Sequence, residues 1–406
     1  MATDELTASG LEDRERLLGL VATLAPTIEQ GATEAEEQRT LPRPLVEQLK
    51  REHLFWLKTP HELGGSPVEP LVFCDLIEAL AYHDASAAWT VMIGNGSAGL
   101  IAGWLPEAGI EAVFPAGGPL PMLAGQPQPR GGVGRAVDGG IVVSGRWAFA
   151  SGIHHADWII GACPIGENDL GIEAKPVIFV VPRAEATIYD SWFAAGLQGT
   201  GSADFSLEEV FVPLERMYEH PLTSGPVPGL RGGALFRQPW RLFVANELPP
   251  LCVGLARRAI ADIAESASTT LRGLSGMRQS ERGAFRKELA LAEARVRAAD
   301  LLYRDALGAA WSCVVEERPL SERQLLATFV AQSFVAESCL QAVLELFRYG
   351  GGRFLALSHP AQRHVRNLLA ARQHSAATEE MYELGGSARL SSGEPLFRSE
   401  VDPATS

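Results

Sequence analysis

The spacing of apolar residues changes twice along the chain, and this order of patterns constrains the fold more than any other feature. From Leu11 to about Gly117 the apolar residues recur at helical spacing, as in LVFCDLIEALAYHDASAAWTVMI. Short strand-like runs follow, among them GIVVSGRW, DWIIGACPI and PVIFVVP. Helical spacing then returns, notably in SERQLLATFVAQSFVAESCLQAVLELF. The sequence therefore predicts a mainly α protein with a β-domain between two helical regions.

Two loop-like stretches mark the changes of pattern. The first, FPAGGPLPMLAGQPQPRGGVG, is dense in glycine and proline, and the second is LTSGPVPGLRGG. We therefore expect an N-terminal helical domain over residues 1–117, a central β-domain over 118–227, and a C-terminal helical bundle with its tail over 228–406. A chain of 406 residues with 46% hydrophobic content has enough apolar residues to form more than one hydrophobic core.

Charge and composition narrow the class of ligand. The net charge is −14, and no run of lysine and arginine is paired with aromatic residues, which argues against nucleic acid or an anionic membrane surface as a partner. The first residues lack a signal-peptide pattern, and no stretch approaches the roughly 20 apolar residues of a membrane span. We therefore expect a cytoplasmic protein that binds a small molecule.

Several familiar catalytic and binding motifs are missing or misplaced. There is no GxxxxGK phosphate loop and no GxSxG nucleophile elbow, and the one GxGxxG spacing, at Gly94–Gly99, lies between helical stretches. The five cysteines are scattered without a CxxC spacing, so we expect reduced core residues. His154 and His155 are adjacent, and neighbouring residues of a strand point to opposite faces, so no metal site is expected.

Two turns combine glycine, hydroxyl groups and aromatic residues. The first is RWAFASG, with Trp147, Phe149, Ser151 and Gly152, and the second is GLQGTGSAD, with Thr200, Gly201 and Ser202. Glycine lets backbone N–H groups approach a ligand, hydroxyl groups bond ring heteroatoms, and aromatic side chains cover a ring face. These residues suit a flat ring with polar edges. Tight turns beside core aromatics would give the same pattern, and both interpretations stay open at this point.

Several short segments, taken in order, resemble the acyl-CoA dehydrogenase superfamily. They are PHELGG with IEALAYHDASAAW, the turn WAFASG, the segment AGLQGTGSADFSLEEVFVP, and YGGGRFLALSHPAQRHVRN. The resemblance runs from about Pro42 to Gly386. It implies that superfamily's fold: an N-terminal helical domain, a central β-barrel-like domain and a C-terminal four-helix bundle.

Within the superfamily, SGRWAFASGIHHADW is most similar to the two-component flavin-dependent monooxygenases. That branch uses reduced FMN or FAD from a separate flavin reductase, together with O2, to oxygenate a small organic substrate through a C4a-hydroperoxyflavin. In the dehydrogenases a glutamate motif follows an arginine–aspartate pair. Here Asn367 follows Arg366, and His374 stands where the monooxygenase branch has a histidine. A histidine exchanges protons near neutral pH, which suits this chemistry.

The resemblance also implies roles for individual residues. His374 and Ser151 would be the catalytic residues, with Ser151 near flavin N5. The remaining flavin contacts would come from Trp147, Phe149, Gly152, Thr200, Gly201, Ser202, Gly350, Gly351 and Arg363, with Arg353 as an alternative to Arg363 at the phosphate. The glycine run at 350–352 often approaches the flavin of a neighbouring subunit, which implies a homotetramer.

Besides the monooxygenase, two other functions remain open. One is a true acyl-CoA dehydrogenase, an enzyme that holds FAD tightly and desaturates thioesters. The other is a non-catalytic binding protein with the same fold.

Asn367 stands where the superfamily usually has an acidic residue, so the function of that carboxylate in this chain stays open. Glu379, Glu380 and Glu383 would either supply a displaced base or form a solvated helix face. The kind of oxygenation, at carbon, nitrogen or sulfur, stays open.

Overall fold

A computed structural model describes residues 7–166, 175–221, 228–245, 247–269, 271–272 and 276–397. The α-helices in these ranges are α1 Ala8–Gln38, α2 Arg43–Arg51, α3 Pro70–His83, α4 Ala85–Trp104, α5 Glu107–Val113, α6 Trp240–Ala245, α7 Leu248–Thr269, α8 Gly283–Val315, α9 Glu322–Phe347, α10 Pro360–Ala371 and α11 Glu380–Ser392. The strands are β1 Leu123–Gln126, β2 Gly132–Val137, β3 Gly140–Ala150, β4 Trp158–Ile165, β5 Lys175–Pro182, β6 Thr187–Ile188, β7 Ala203–Pro213, β8 Met217–Glu219, β9 Leu271–Arg272 and β10 Met277–Arg278.

The order of helices, strands and helices agrees with the prediction from the sequence. Two compact units group these elements differently, however. One unit contains 1–14, 70–83 and 246–406, and the other contains 15–69 and 84–245. The helix α3 thus belongs with the C-terminal helices although it lies early in the chain. The predicted domain limit near 117 falls between α5 and β1, and the predicted limit near 227 lies outside the described residues. Both stay predictions as domain boundaries.

The larger β-structure is an eight-stranded mixed sheet. Its strand order is β6-β7-β3-β2-β4-β5-β8, and β1 pairs with β4. The pairs β1/β4 and β2/β4 are parallel, and the remaining pairs of this sheet are antiparallel. Inward residues of β3, β4, β5 and β7 form one apolar cluster that includes Trp147, Phe179 and Phe205. This cluster fixes the end of β3, where the predicted turn RWAFASG lies.

In the unit that holds the C-terminal helices, a buried ionic cluster joins α3 to α8. Arg304 Nε donates to Asp300 at 2.7 Å, and its two terminal nitrogens donate to Asp75 at 2.6 Å and Glu78 at 2.7 Å. Burying a guanidinium is costly unless carboxylates compensate for the lost hydration, as they do here. These contacts tie α3 to α8.

The C-terminal helices contain one long apolar stretch. A window within Glu322–Leu355 is long and apolar enough to cross a membrane, but 78% of it is buried inside the protein. Its apolar character is therefore that of a core helix. The five cysteines are all buried, in agreement with their predicted place in the core.

Candidate active site

The strand β3 ends in a bulge that turns an aromatic side chain outward. Trp147 pairs with Phe205 and Ala150 with Ala203, so β3 carries one more residue than β7 in this interval. Phe149 lies in the bulge with φ +66°, a conformation that bulky residues rarely adopt. Its ring is 65% exposed and meets Trp192 edge-on with a centroid distance of 6.2 Å. Strain of this kind at an exposed aromatic residue points to a ligand site.

Two residues after Phe149, the two predicted turns meet through their hydroxyl groups. Ser151 Oγ lies 2.7 Å from Ser202 Oγ, which lies 2.6 Å from Thr200 Oγ1. The Trp89 indole N–H donates to Ser151 Oγ at 3.0 Å, and Thr200 Oγ1 donates to the Leu197 carbonyl at 2.8 Å. All three hydroxyl-bearing residues are buried. The sequence predicted these residues as one site, and the structure brings the three hydroxyl groups together.

The backbone amides of these turns form hydrogen bonds within the turns. The Gly152 N–H donates to the Thr200 carbonyl at 2.8 Å, and the N–H groups of Thr200 and Gly201 donate to Leu197 and Gln198. A Cβ at Gly152 would meet Met122 and Thr90 at 3.2 Å, and one at Gly201 would meet His154 at 2.9 Å. These glycines and amides thus serve the packing of the turns. The predicted flavin contacts of Gly152, Thr200 and Gly201 stay predictions.

Trp147 lies in the core of the β-domain. Its indole stacks on Phe205 with a centroid distance of 5.2 Å, meets Phe179 edge-on, and donates from Nε1 to the Ala162 carbonyl at 2.9 Å. Only 1% of the residue is exposed. The side chain of Trp147 thus belongs to the core of the β-domain, and its predicted flavin contact stays a prediction. Phe149 is the aromatic residue of this motif that reaches the surface.

A cavity of about 340 Å³ lies next to the first turn. It is lined by residues that include Arg39, His154, Arg183, Tyr189 and Trp192. The pKa of His154 is lowered by burial and by the nearby Arg183, so the cavity favours the neutral ring. Arg39 Nε is buried without a hydrogen-bond partner in the described part of the chain. An arginine with a spare donor suits a ligand oxygen or phosphate.

The side chain of His155 lies in a different environment from that of His154. Its Nε2 lies 3.0 Å from Thr40 Oγ1, and burial is the largest of the effects that lower its pKa to about 4. A histidine held neutral in this way joins the first turn to the segment after α1. No group of three potential metal-ligating side chains occurs among the described residues.

In the other unit, His374 lies in the turn between α10 and α11. Its N–H donates to the Ala371 carbonyl, and its Nδ1 accepts from the Ala376 N–H at 3.2 Å. Burial lowers the pKa of His374 to about 4, so the ring is neutral at pH 7. Because Nδ1 accepts a hydrogen bond, the neutral ring carries its proton on Nε2.

The glycine run of this unit packs against an aromatic side chain. A Cβ at Gly350 would lie 1.9 Å from the ring of Phe354, and Gly351 has φ +60°. Gly350 also lines a cavity of about 10 Å³, room for one water, beside the unpartnered Gln279 Nε2. Gly350 thus has a structural role, because a larger residue would collide with Phe354. Its predicted contact with the cofactor stays a prediction. Arg363 is half-buried on α10.

The acidic residues considered as a displaced base lie on the surface. Glu379, Glu380 and Glu383 are all exposed at the start of α11, whereas Asn367 is 4% exposed within α10. Exposure of all three carboxylates favours a solvated helix face.

Comparison with known proteins decides the family. Residues 14–112 and 249–379 match the models for the acyl-CoA dehydrogenase N-terminal and C-terminal domains. The oxygenase component of the FADH2-dependent resorcinol hydroxylase of a Rhizobium species is 32% identical over 88% of this chain and 90% of its own. The chain belongs to the flavin-dependent monooxygenases of the acyl-CoA dehydrogenase superfamily.

Other relatives agree with this membership. The indole-3-acetate monooxygenase of Acinetobacter baumannii is 27% identical over 85% of this chain and 86% of its own. The structure of XiaF from a Streptomyces species, in complex with FADH2 and glycerol, has a TM-score of 0.86 and 25% identity, and covers 97% of this chain and 99% of XiaF. The predicted fold and the predicted reduced-flavin-dependent oxygenation are thereby confirmed, in preference to acyl-CoA dehydrogenation.

Trp89 contacts the monooxygenase's hydroxyl cluster and was not among the predicted site residues. Trp89 ends the segment IEALAYHDASAAW, which carried part of the family resemblance, but its spacing in α4 gave no sign that it reaches Ser151. A buried tryptophan needs a partner for its indole N–H, so an unassigned tryptophan near hydroxyl-rich turns was the available signal.

Proposed function

We propose that this monooxygenase hydroxylates a small aromatic substrate that carries an ionisable hydroxyl group. The observation that carries the proposal is the strained, exposed Phe149 beside the buried hydroxyl cluster of Ser151, Ser202 and Thr200. This arrangement offers a ring face and a hydrogen-bonding edge, which fit the flat, polar-edged ring of FMN or FAD. The hydroxylase and monooxygenase names of the relatives support an aromatic substrate.

The flavin, when reduced by a separate reductase, supplies electrons and the place at which O2 is activated. Ser151 would hold the N5 edge of the ring, and Phe149 would lie against the ring and exclude water. Exclusion of water matters because a wet site diverts oxygen to hydrogen peroxide. Trp192, edge-on to Phe149, supports that ring from the side.

His374 would hold the hydroxyl oxygen of the substrate. The neutral ring, with its proton on Nε2, suits a hydrogen bond donated to that oxygen. A substrate that has released its hydroxyl proton to solvent would be held as the phenolate by this donor, and a phenolate is a better nucleophile toward activated oxygen than the neutral phenol. A thioether or an amine oxygenation would not need the same donor, so this feature favours aromatic hydroxylation over N- or S-oxidation.

The first prediction concerns His374. We expect His374→Asn to lower the hydroxylation rate by about 10²-fold or more, because acid–base and charge-stabilising groups contribute on that scale. His374→Gln places its amide near the position of Nε2 and is expected to retain part of the rate. Product formation, hydrogen peroxide release and reduced-flavin binding are measured together on a panel of phenols. Unchanged coupling in His374→Asn would remove His374 from the mechanism.

We also propose a cytoplasmic homotetramer built through the C-terminal helices. Large apolar side chains are exposed along these helices and the segment between them, which is the usual sign of an interface. They include Leu291, Leu301, Phe334, Leu344, Leu355 and Leu357. Light scattering at micromolar concentration is expected to give four times the 43.6 kDa mass of the chain. A monomer under these conditions would contradict the proposal.

A further inference from the structure

The turn that carries His374 is anchored to α9 at both of its ends. Ser333 and Glu337 are four residues apart in α9, so their side chains lie on one face of the helix. Glu337 Oε2 accepts from Arg372 Nε at 2.9 Å where the turn begins. Ser333 Oγ donates to the Thr378 carbonyl at 3.1 Å where the turn ends. One face of α9 therefore sets the position of the whole turn.

Arg372 also spans the base of the turn. One of its terminal nitrogens donates to the carbonyl of Ala377, a residue that is 1% exposed. The guanidinium is planar and rigid, so binding Glu337 and Ala377 together fixes the distance between the α9 carboxylate and the far side of the turn. His374 lies between Arg372 and Ala377 in the chain and belongs to the part of the backbone that this contact closes.

The imidazole of His374 follows the backbone of this turn. The Ala377 N–H donates to the His374 carbonyl at 2.9 Å, and the Ala376 N–H donates to His374 Nδ1 at 3.2 Å. The second bond ties the ring itself to the turn, so a change in the shape of the turn also moves Nε2. Burial is the cause of the lowered pKa of His374, so the neutral state of the ring does not depend on Arg372. The contacts of Arg372 bear on where the ring lies.

The contact between Arg372 and Glu337 is more than an exposed ion pair. Only 16% of the Arg372 side chain is exposed. Its hydrogen bond is the main cause of the lowered pKa of Glu337, whose other oxygen accepts from Gln341 Nε2 at 2.7 Å. Exposed ion pairs contribute little, whereas charge-assisted hydrogen bonds of a mostly buried arginine are strong. The guanidinium is therefore held in one place between α9 and the turn.

We propose that Arg372, held by Glu337, positions the His374 ring for hydroxylation. The inference rests on the proposed function, in which His374 Nε2 donates to the hydroxyl oxygen of the substrate. Arg372 is a positioning residue in this scheme, because its hydrogen bonds go to Glu337 and Ala377 and it acts on the substrate only through the ring.

The test is a double-mutant cycle with His374→Asn. The rate of product formation is measured with reduced flavin and the phenol that the wild type hydroxylates fastest. Arg372→Ala is expected to lower this rate about tenfold or more, because misplacing a catalytic group by about 1 Å costs up to about 10²-fold. In a protein that already carries His374→Asn, Arg372→Ala should have no further effect, since no imidazole is left to position. General loss of packing would lower the rate by the same factor in both proteins.

Two substitutions of Glu337 test the same contact without removing the arginine. Glu337→Ala removes the anchor on α9 but leaves Arg372 with its bond to Ala377, so it should lower the rate less than Arg372→Ala does. This loss should also disappear when His374→Asn is present. Glu337→Gln keeps an oxygen that accepts from Arg372 Nε and should restore most of the rate.

The matched control is an arginine of the same unit whose ion pair lies within one helix. Arg297 donates to Asp300 at 2.9 Å in α8. Arg297→Ala should keep the wild-type rate, and reduced flavin should bind all these variants as tightly as it binds the wild type.

The outcomes separate this inference from the proposed function. A wild type that hydroxylates no phenol, or a His374→Asn variant with the wild-type rate, overturns the proposed function and this inference together. If His374→Asn loses the rate but Arg372→Ala keeps it, the proposed function stands and the inference is overturned. An Arg372→Ala loss that is equally large beside His374→Asn also overturns it. If Arg372→Ala does not fold, Glu337→Ala decides, and a wild-type rate in that variant overturns the inference.

Discussion

The end of β3 and the segment Arg348–Leu355 are both rich in glycine and aromatic residues, yet they place them in opposite ways. At the end of β3 the aromatic ring of Phe149 is outside and the hydroxyl groups are buried. In Arg348–Leu355 the ring of Phe354 is buried against Gly350. Segments of similar composition thus form an exposed surface at the end of β3 and a packed core in Arg348–Leu355. The two segments differ in the burial of the aromatic ring, whereas glycine is present in both.

The largest effect is expected from the removal of Trp147, the buried aromatic residue of the first region. We expect Trp147→Ala to lower the free energy of unfolding by about 3–5 kcal/mol, because a large buried side chain leaves a cavity. Its indole hydrogen bond to the Ala162 carbonyl is lost as well. Urea unfolding measures the loss, and Phe149→Leu, at an exposed position, serves as the control. A loss below about 1 kcal/mol would contradict the assignment of Trp147 to the core.

In the second region the matched pair is Gly350 and Gly352. Gly350→Ala would force the buried ring of Phe354 to move and should cost about 1–3 kcal/mol, the usual range for overpacking. A Cβ at Gly352 meets nothing within 4 Å, so Gly352→Ala should leave stability nearly unchanged. Thermal unfolding and flavin affinity are measured for both variants. Normal stability but weak flavin binding in Gly350→Ala would instead support the cofactor role that the sequence predicted.

The sequence predicted the order of helices and strands, which the structure confirms. Strand spacing, turn residues and family resemblance placed Ser151, Thr200 and Ser202 in one site, and their hydroxyl groups do meet. Trp147 and Phe149 were not distinguished, because alternation in a strand puts both on one face, whereas the bulge between them turns Phe149 outward. A one-residue bulge leaves no clear mark in the sequence.

Other features depend on contacts between distant parts of the chain. The grouping of α3 with the C-terminal helices includes contacts of Asp75 and Glu78 with Arg304, more than 200 residues away in sequence. The place of Trp89 rests on a hydrogen bond to Ser151, 62 residues further on. Local patterns report what an element is and which face is apolar. They do not report which distant polar partner a buried side chain finds.

A substitution at Phe149 tests whether its positive φ strains the backbone, and we expect only a small change in stability. Phe149→Gly relieves the positive φ, which costs a non-glycine residue about 1 kcal/mol or more, and it removes a ring that is mostly exposed. We therefore expect the free energy of unfolding to stay equal or rise by up to about 1 kcal/mol. Reduced-flavin affinity should fall, because the ring is lost from the site. Phe149→Leu is the matched control: it keeps the strained backbone, so it should lose flavin affinity without the gain in stability. A Phe149→Gly variant that is less stable than the wild type and binds flavin normally would show that the ring serves packing, and the contrast with Phe354 would disappear.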